Sequence, residues 1–342
     1  MNNVRYFTWS FFVTIAGLIG AFFIGGSHAV FIVTVLCILE ISLSFDNAVV
    51  NAKVLKDLDE IWRRRFLTWG MLIAVFGMRL TFPLLIVGIV ANLGLLETLN
   101  LAMNNPDEYS KHLHDAHYMI SAFGGSFLMM IGLKYFFDVE KDVHWISVIE
   151  KPLSKFSKIE AVEIAIVMVL LWITTNFIPQ AVKAEFVIAG MLGLIMYVAV
   201  DGFGSFMEQY TGRLAIKQHA ISTTAKNGLA LFLYLQVLDA SFSFDGVIGA
   251  FAISNNLFII AIGLGVGAMF VRSLTIMMVN KGTLSEYRYL EHGAFYAILI
   301  LAGIMFLKTF VEVPEVVTGL LSAGFIGLAF LSSVKSANKG IC

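Results

Sequence analysis

Charge is what this sequence lacks first. Asp, Glu, Lys and Arg make up 14% of its 342 residues, while 58% are hydrophobic; a soluble domain carries roughly 25% charged residues. The shortage excludes an ordinary water-soluble fold. With a mean hydropathy of +0.84, it predicts an all-α polytopic membrane protein. Cysteine is nearly absent too. Cys37, in an apolar run, and Cys342, at the last position, cannot build a disulfide framework or a thiolate metal cluster. Positive charge is not in excess, since the formal net charge is −1, and no nucleic-acid surface is expected. The glycines Gly263, Gly265 and Gly267 lie mid-span without the lysine-serine/threonine ending of a phosphate-binding loop. They read as helix packing. Neither an ATP-driven pump nor an organic cofactor is expected.

What the chain has in abundance is apolar runs. A chain of this length has room for about ten spans of roughly 20 residues. Ten candidates lie near 8–25, 29–52, 66–92, 118–137, 161–178, 184–204, 228–253, 257–280, 291–311 and 315–334, within a single transmembrane domain over 1–342. Asn176 and Pro179 interrupt the fifth and sixth, a region that reads as two spans or one re-entrant unit. Arg5, the run Phe11–Ile24 and Gly-Gly-Ser-His-Ala have the look of a cleaved signal. A second run begins at once at Val30, and a helical hairpin is the stronger reading.

Alternate connections carry the lysines and arginines: Lys53, Lys56 and Arg63–Arg65; Lys141, Lys151, Lys155 and Lys158; Arg213, Lys217 and Lys226; Lys281 and Arg288; Lys335 and Lys339. The opposite connections hold little beyond Lys111 and Lys183. Positive charge accumulates on the cytoplasmic side, which puts both termini in the cytoplasm of a multi-pass plasma membrane, the inner membrane of a bacterium.

One pattern occurs twice. Glu40-Ile-Ser-Leu-Ser-Phe-Asp46-Asn47 and Asp239-Ala-Ser-Phe-Ser-Phe-Asp245-Gly246 share an acid, then serines, phenylalanine and aspartate at the same spacing. Acids at membrane depth are expensive and mark function by default. Under the predicted topology the copies run in opposite directions, as in an inverted repeat. The match extends further. Gly70 precedes Arg79 as Gly263 precedes Arg272, and Ile131-Gly-Leu-Lys134 parallels Met305-Phe-Leu-Lys308. Two inverted three-helix repeats, about 29–137 and 228–311, are therefore expected.

Glu40 and Asp46 would stand about 120° apart on a continuous helix. A break near Ser44-Phe45 would let both face one point, and Gly246 makes a matching break easy in the second copy. The candidate ligands are Glu40, Ser44, Asp46, Asn47, Asp239, Ser243 and Asp245, with Ser42 and Ser241 nearby. These are hard oxygen donors of the kind that suits Mn2+, Mg2+ or Ca2+. Carboxylates crowded in low dielectric repel one another, so some hold a proton when the cation is absent. That is a route to proton-coupled antiport. The competing reading makes the acids solvated helix ends, or neutralises them with Arg79, Arg272, Lys134 and Lys308. The two arginines either balance the empty site or pair with interface and backbone groups.

Other features have blander readings. Asp107, Glu108, His112, His114, Asp115 and His117 suggest a solvated external loop rather than a metal site. Asp201 and Glu208 mark a membrane interface, or else a gate. Glu163 and Glu185 complement helix N-termini. Trp62, Trp69 and Trp145 fit an aromatic belt, and the charged segment 138–160 fits a run along the cytoplasmic surface.

The acid-Ser-x-Ser-x-Asp-Asn stretch at 40–47 resembles the signature of the TerC family, grouped with LysE-like transporters. The run His117-Tyr-Met-Ile-Ser-Ala-Phe-Gly-Gly-Ser-Phe-Leu-Met-Met-Ile-Gly-Leu-Lys134 resembles a longer branch of it, and the likeness covers roughly 25–335. The resemblance implies a helical manganese exporter whose metal is carried by Glu40, Asp46, Asn47, Asp239 and Asp245. The second copy departs from the signature at Asp239, a shorter acid, and at Gly246, which removes a ligand. The leading expectation is a non-enzymatic secondary transporter exporting Mn2+, or Ca2+ or Mg2+, between two rocking halves. A membrane-protein assembly or stress-resistance factor and an intramembrane aspartyl-type enzyme are the readings of other classes.

Overall fold

The computed structural model describes residues 3–70, 73, 77, 81–138, 141, 143–154, 161–215, 223–254 and 256–338. Some helical side chains, those of Ser243 and Asp245 among them, lie outside that description, as does Arg79. All the described regular structure is helical. α1 (Thr8–Leu43), α2 (Phe45–Asp57) and α3 (Glu60–Arg65) lead into a π-helical turn at Phe66–Gly70. α4 (Phe82–Ala91), the short α5 (Leu95–Asn104) and α6 (Pro106–Asp115), and the long α7 (His117–Phe137) follow. Then come α8 (Ser147–Ser154), α9 (Val162–Thr174), α10 (Lys183–Ala215), α11 (Thr223–Ile253) and α12 (Leu257–Lys281). α13 (Thr283–Glu286), α14 (Leu290–Leu307) and α15 (Glu315–Asn338) close the described chain.

Among the described residues, six helical stretches are long and apolar enough to cross a membrane: Arg5–Leu43, His117–Phe137, Gln180–Gly202, Leu257–Lys281, Leu290–Leu307 and Val317–Ser336. Large apolar side chains such as Trp9, Phe23, Ile89, Trp172 and Leu320 point outward and are more than half exposed. So many exposed large apolar side chains suit an apolar surround, not water. The make-up is that of a polytopic membrane protein.

The first apolar stretch folds back on itself. Gly26 has a left-handed φ of +63°, which glycine adopts without steric cost. Both sides of this bend pack on α12. Ser10 bonds Ser273 and the Met269 carbonyl, Gly17 abuts Ile262 and Val266, and Gly25 approaches Ile259. Past the bend the contacts climb again, from Leu36 on Gly263 to Glu40 on Gly267. The chain thus reverses at Gly25–Gly26, the hairpin expected from the sequence.

Beyond the hairpin the chain lies antiparallel along α11. Ile32 shares a buried cluster with Val247 and Phe251, Glu40 reaches Gly246, Leu55 packs with Leu235, and Trp62 sits beside Phe232. The two acid motifs are therefore carried by oppositely directed segments.

At one end of the bundle three connections converge. Lys53 of α2 pairs with Glu291 of α14 and lies over the Tyr135 and Phe295 rings, which stack 3.8 Å apart. Described residues of the charged segment 138–160, the one expected to run along the cytoplasmic surface, dock at this end of the bundle. The segment's Glu150, 1% exposed, accepts from the Ile146 N–H at 3.1 Å and the Tyr296 hydroxyl at 3.3 Å. It pairs with Lys141 at 3.1 Å and His292 at 3.4 Å. A buried carboxylate persists only with such compensation.

The expected solvated loop at 107–117 is also different. It forms α6, started by Pro106 in the first turn, with Asp107 and Glu108 early and His112 and His114 late, as the helix dipole favours. Tyr109 and Leu113, four residues apart, turn inward. Glu163 and Glu185 stand in the first turns of α9 and α10. Asp201 is exposed on α10, and the Glu208 side chain falls outside the described residues.

Candidate metal centre

The first motif spans a junction. α1 ends at Leu43, Ser44 adopts φ −102° and ψ 15°, and α2 starts at Phe45. This is the break the spacing of Glu40 and Asp46 called for. It is slight: the Ser44 N–H still bonds the Glu40 carbonyl at 2.9 Å, and the Ala48 N–H bonds the Ser44 carbonyl at 3.3 Å. The second motif departs from expectation. α11 runs unbroken through Asp239, Asp245 and Gly246. The packing gives the reason, because Gly246 serves for close approach rather than for a kink.

Glu40 is the centre of that approach. A Cβ placed on Gly246 would lie 3.0 Å from Glu40 Oε2, and one on Gly267 would lie 2.5 Å from the Glu40 Cβ. The side chain is held between a glycine of α11 and a glycine of α12, and the acid of one motif touches the last residue of the other. Its second oxygen, Oε1, accepts from the Ser44 hydroxyl at 2.7 Å.

Asp46 is fully buried in the first turn of α2. Its Oδ1 accepts the Asn47 N–H at 2.9 Å, while Oδ2 has no partner. Asn47, also buried, has no partner for either amide atom. Each such group forfeits about 1–3 kcal/mol, so an unsatisfied cluster calls for an unseen ligand. Carboxylate and amide oxygens with a hydroxyl beside them fit a hard divalent cation.

The remaining predicted residues divide. Asp239 is buried on α11, two helical turns from Gly246 and on the same face. Asp245 and Ser243 have backbone positions in α11, and their side chains lie outside the described residues. Ser42 is exposed and bonds the Ile38 carbonyl. Ser241 bonds the Val237 carbonyl of its own helix. Each hydroxyl donates within its own helix. Among the described residues no three His, Cys, Asp or Glu side chains are grouped to hold a metal; a cation here would depend on amide and hydroxyl oxygens as well.

The competing readings of the acids fare differently. Glu40, Asp46 and Asp239 are buried, not solvated ends. Arg272 donates Nε and Nη2 to the Leu67 carbonyl at 3.0 and 2.9 Å, so it serves backbone near the π-helical turn. Lys134 is exposed.

Two polar residues of the seam had not been singled out from the sequence. Asn51, one turn beyond Asn47, is buried with Oδ1 unpartnered. Gln236, one turn before Asp239, donates to the Gly70 carbonyl at 3.3 Å and leaves Oε1 unpartnered. The signal was a polar side chain at helical spacing from a motif residue, inside an apolar run.

The model of a family described as a protein of unknown function, DUF475, matches residues 45–340. No curated protein and no solved structure matches the chain.

Proposed function

The chain belongs to the DUF475 family, and from the geometry of its buried acid centre we propose that it is a secondary transporter exporting a divalent cation, Mn2+ foremost. The observation that carries this reading is the meeting of the two motifs, Glu40 of the first against Gly246 of the second, beside the unpartnered atoms of Asp46 and Asn47. An exchangeable ion explains why those atoms stay open.

The reading includes ten spans, both termini in the cytoplasm of a bacterial inner membrane, and two inverted repeats. Glu40 corresponds to Asp239 and Asn47 to Gly246 in the duplicated pattern. A two-fold relating the motifs carries the Glu40–Gly246 contact onto an Asp239–Asn47 contact, and the antiparallel course along α11 supports that pairing. The cation binds between the halves, which gate alternately around it. Carboxylates that repel one another when the cation leaves take up protons, which makes the exchange an antiport. The likeness of the 40–47 stretch to the TerC signature supports manganese, and no enzymatic step is assigned.

The test is total Mn, Zn, Mg and Ca in manganese-sensitive cells expressing the protein or its Asp46→Asn variant. A fall in Mn that the variant loses at equal membrane abundance supports the exporter. Unchanged metals with correctly inserted protein would move the function to a non-transporting assembly role.

A further inference from the structure

The face of α1–α2 that carries Glu40 continues through Ser44, Asn47, Asn51 and Leu55 at steps of three and four residues, the period of one helical face. It is held against α11 at both ends, by Glu40 at Gly246 and by Leu55 in the cluster with Leu235. Asn47 and Asn51 lie between these anchors. Asn51 is 1% exposed and its Oδ1 has no partner. Its neighbours Val49, Val50 and Ala52 are buried in the apolar core, a setting in which an aliphatic residue would pack at no polar cost.

We infer that Asn51 is a direct ligand of the transported cation, chelating it together with Asn47 through two amide oxygens one helical turn apart. The inference rests on the proposed transport of a divalent cation and adds to it a neutral, hard half of the ligand set. Side chains four residues apart on a helix have Cβ atoms roughly 5–6 Å from each other, the spacing by which paired helical ligands grip one metal. Two neutral carbonyl oxygens supply coordination without adding to the repulsion among the carboxylates, and they disfavour thiophilic ions.

The test is Mn2+ and Cd2+ binding to the purified full-length protein in detergent, by calorimetry, for wild type, Asn51→Leu, Asn51→Cys and Asp46→Asn. Asn51→Leu should weaken Mn2+ binding roughly tenfold or more, a loss that even an outer partner of a metal ligand can cause. Asn51→Cys should weaken Mn2+ and strengthen Cd2+, because a sulfur ligand prefers the softer ion. That gain is one that a packing role for Asn51 would not produce, and it is read even if the leucine variant fails to fold. If wild type binds Mn2+, Asp46→Asn abolishes binding, and the cysteine variant shows no change in either ion, Asn51 is no ligand and the transport reading stands. If wild type binds neither Mn2+, Mg2+ nor Ca2+, the transport reading falls and the assignment of Asn51 falls with it.

Discussion

Two buried polar regions of this molecule are built on opposite terms. Around Glu150 each charge meets a counter-charge or a dipole: the Ile146 N–H, the Tyr296 hydroxyl, Lys141 and His292. The neighbouring Lys53 has Glu291 and two aromatic rings. Along the seam of α1–α2, by contrast, Asp46 Oδ2, both amide atoms of Asn47 and Asn51 Oδ1 have no partner. The first arrangement joins α2, α7, α14 and the segment before α8 through opposite charges in contact, although Lys141 Nζ, Glu150 Oε2 and His292 Nδ1 make no hydrogen bond. The second leaves its donors open in the core. Opposite charge within reach is what separates the fastening from the candidate site.

Substitutions can break that distinction, and the largest effect is expected at Asp46. Asp46→Asn removes a buried, half-satisfied carboxylate, so export should fall to the level of cells without the protein while thermal stability holds or rises. A variant that melts earlier and still exports would make the seam a fastening after all. Glu150→Ala should do the reverse. Removing one member of a buried charged cluster costs about 3–5 kcal/mol, seen as a lower melting temperature in detergent, with export per folded molecule retained.

Gly267→Ala is next. The added methyl would meet the Glu40 Cβ at 2.5 Å and the Cys37 carbonyl at 3.0 Å, neither of which is the free end of a flexible chain. Overpacking of this kind costs about 1–3 kcal/mol, and because it displaces Glu40 it should reduce export as well. Gly246→Ala meets only the Glu40 carboxylate tip, at 3.0 Å, and should weaken Mn2+ binding with little change in melting temperature.

The smallest expected effect is on pH dependence. Burial pushes the Glu150 carboxyl up, but the Ile146 N–H, His292 and Lys141 outweigh it and hold it below its ordinary value of 4.5. The folded form then binds fewer protons than the unfolded form near that pH, so the stability from Glu150 is present above about 4.5 and lost as pH falls further. Lys141 is lowered by burial despite Glu150 beside it; its penalty is present below its folded value and relieved as pH rises. Melting curves between pH 3 and 6 should show an acid loss that Glu150→Gln reduces.

Much of this was legible in advance. The hairpin at Gly25–Gly26, the break at Ser44 and the burial of Glu40, Asp46 and Asp239 follow from local rules: glycine's freedom, the angular step of a helix, the cost of placing acids in apolar runs. Other features were not legible because they depend on what lies opposite. Gly246 reads as a hinge in its own helix and acts as a landing surface for Glu40. Glu150 reads as one charge in a mixed segment until Tyr296 and His292, far along the chain, surround it. Residues 107–115 read as a charged loop, since a single inward pair, Tyr109 and Leu113, is too brief a pattern to stand out.

The sequence by itself determined that this chain is helical, suited to a membrane and duplicated around an acid motif, because hydropathy, helical period and repetition are properties of neighbours along the chain. Only the tertiary structure decided which acid faces which glycine, which polar atoms find partners and which stay open. Those outcomes depend on distances between segments some two hundred residues apart, and nothing short of packing sets them.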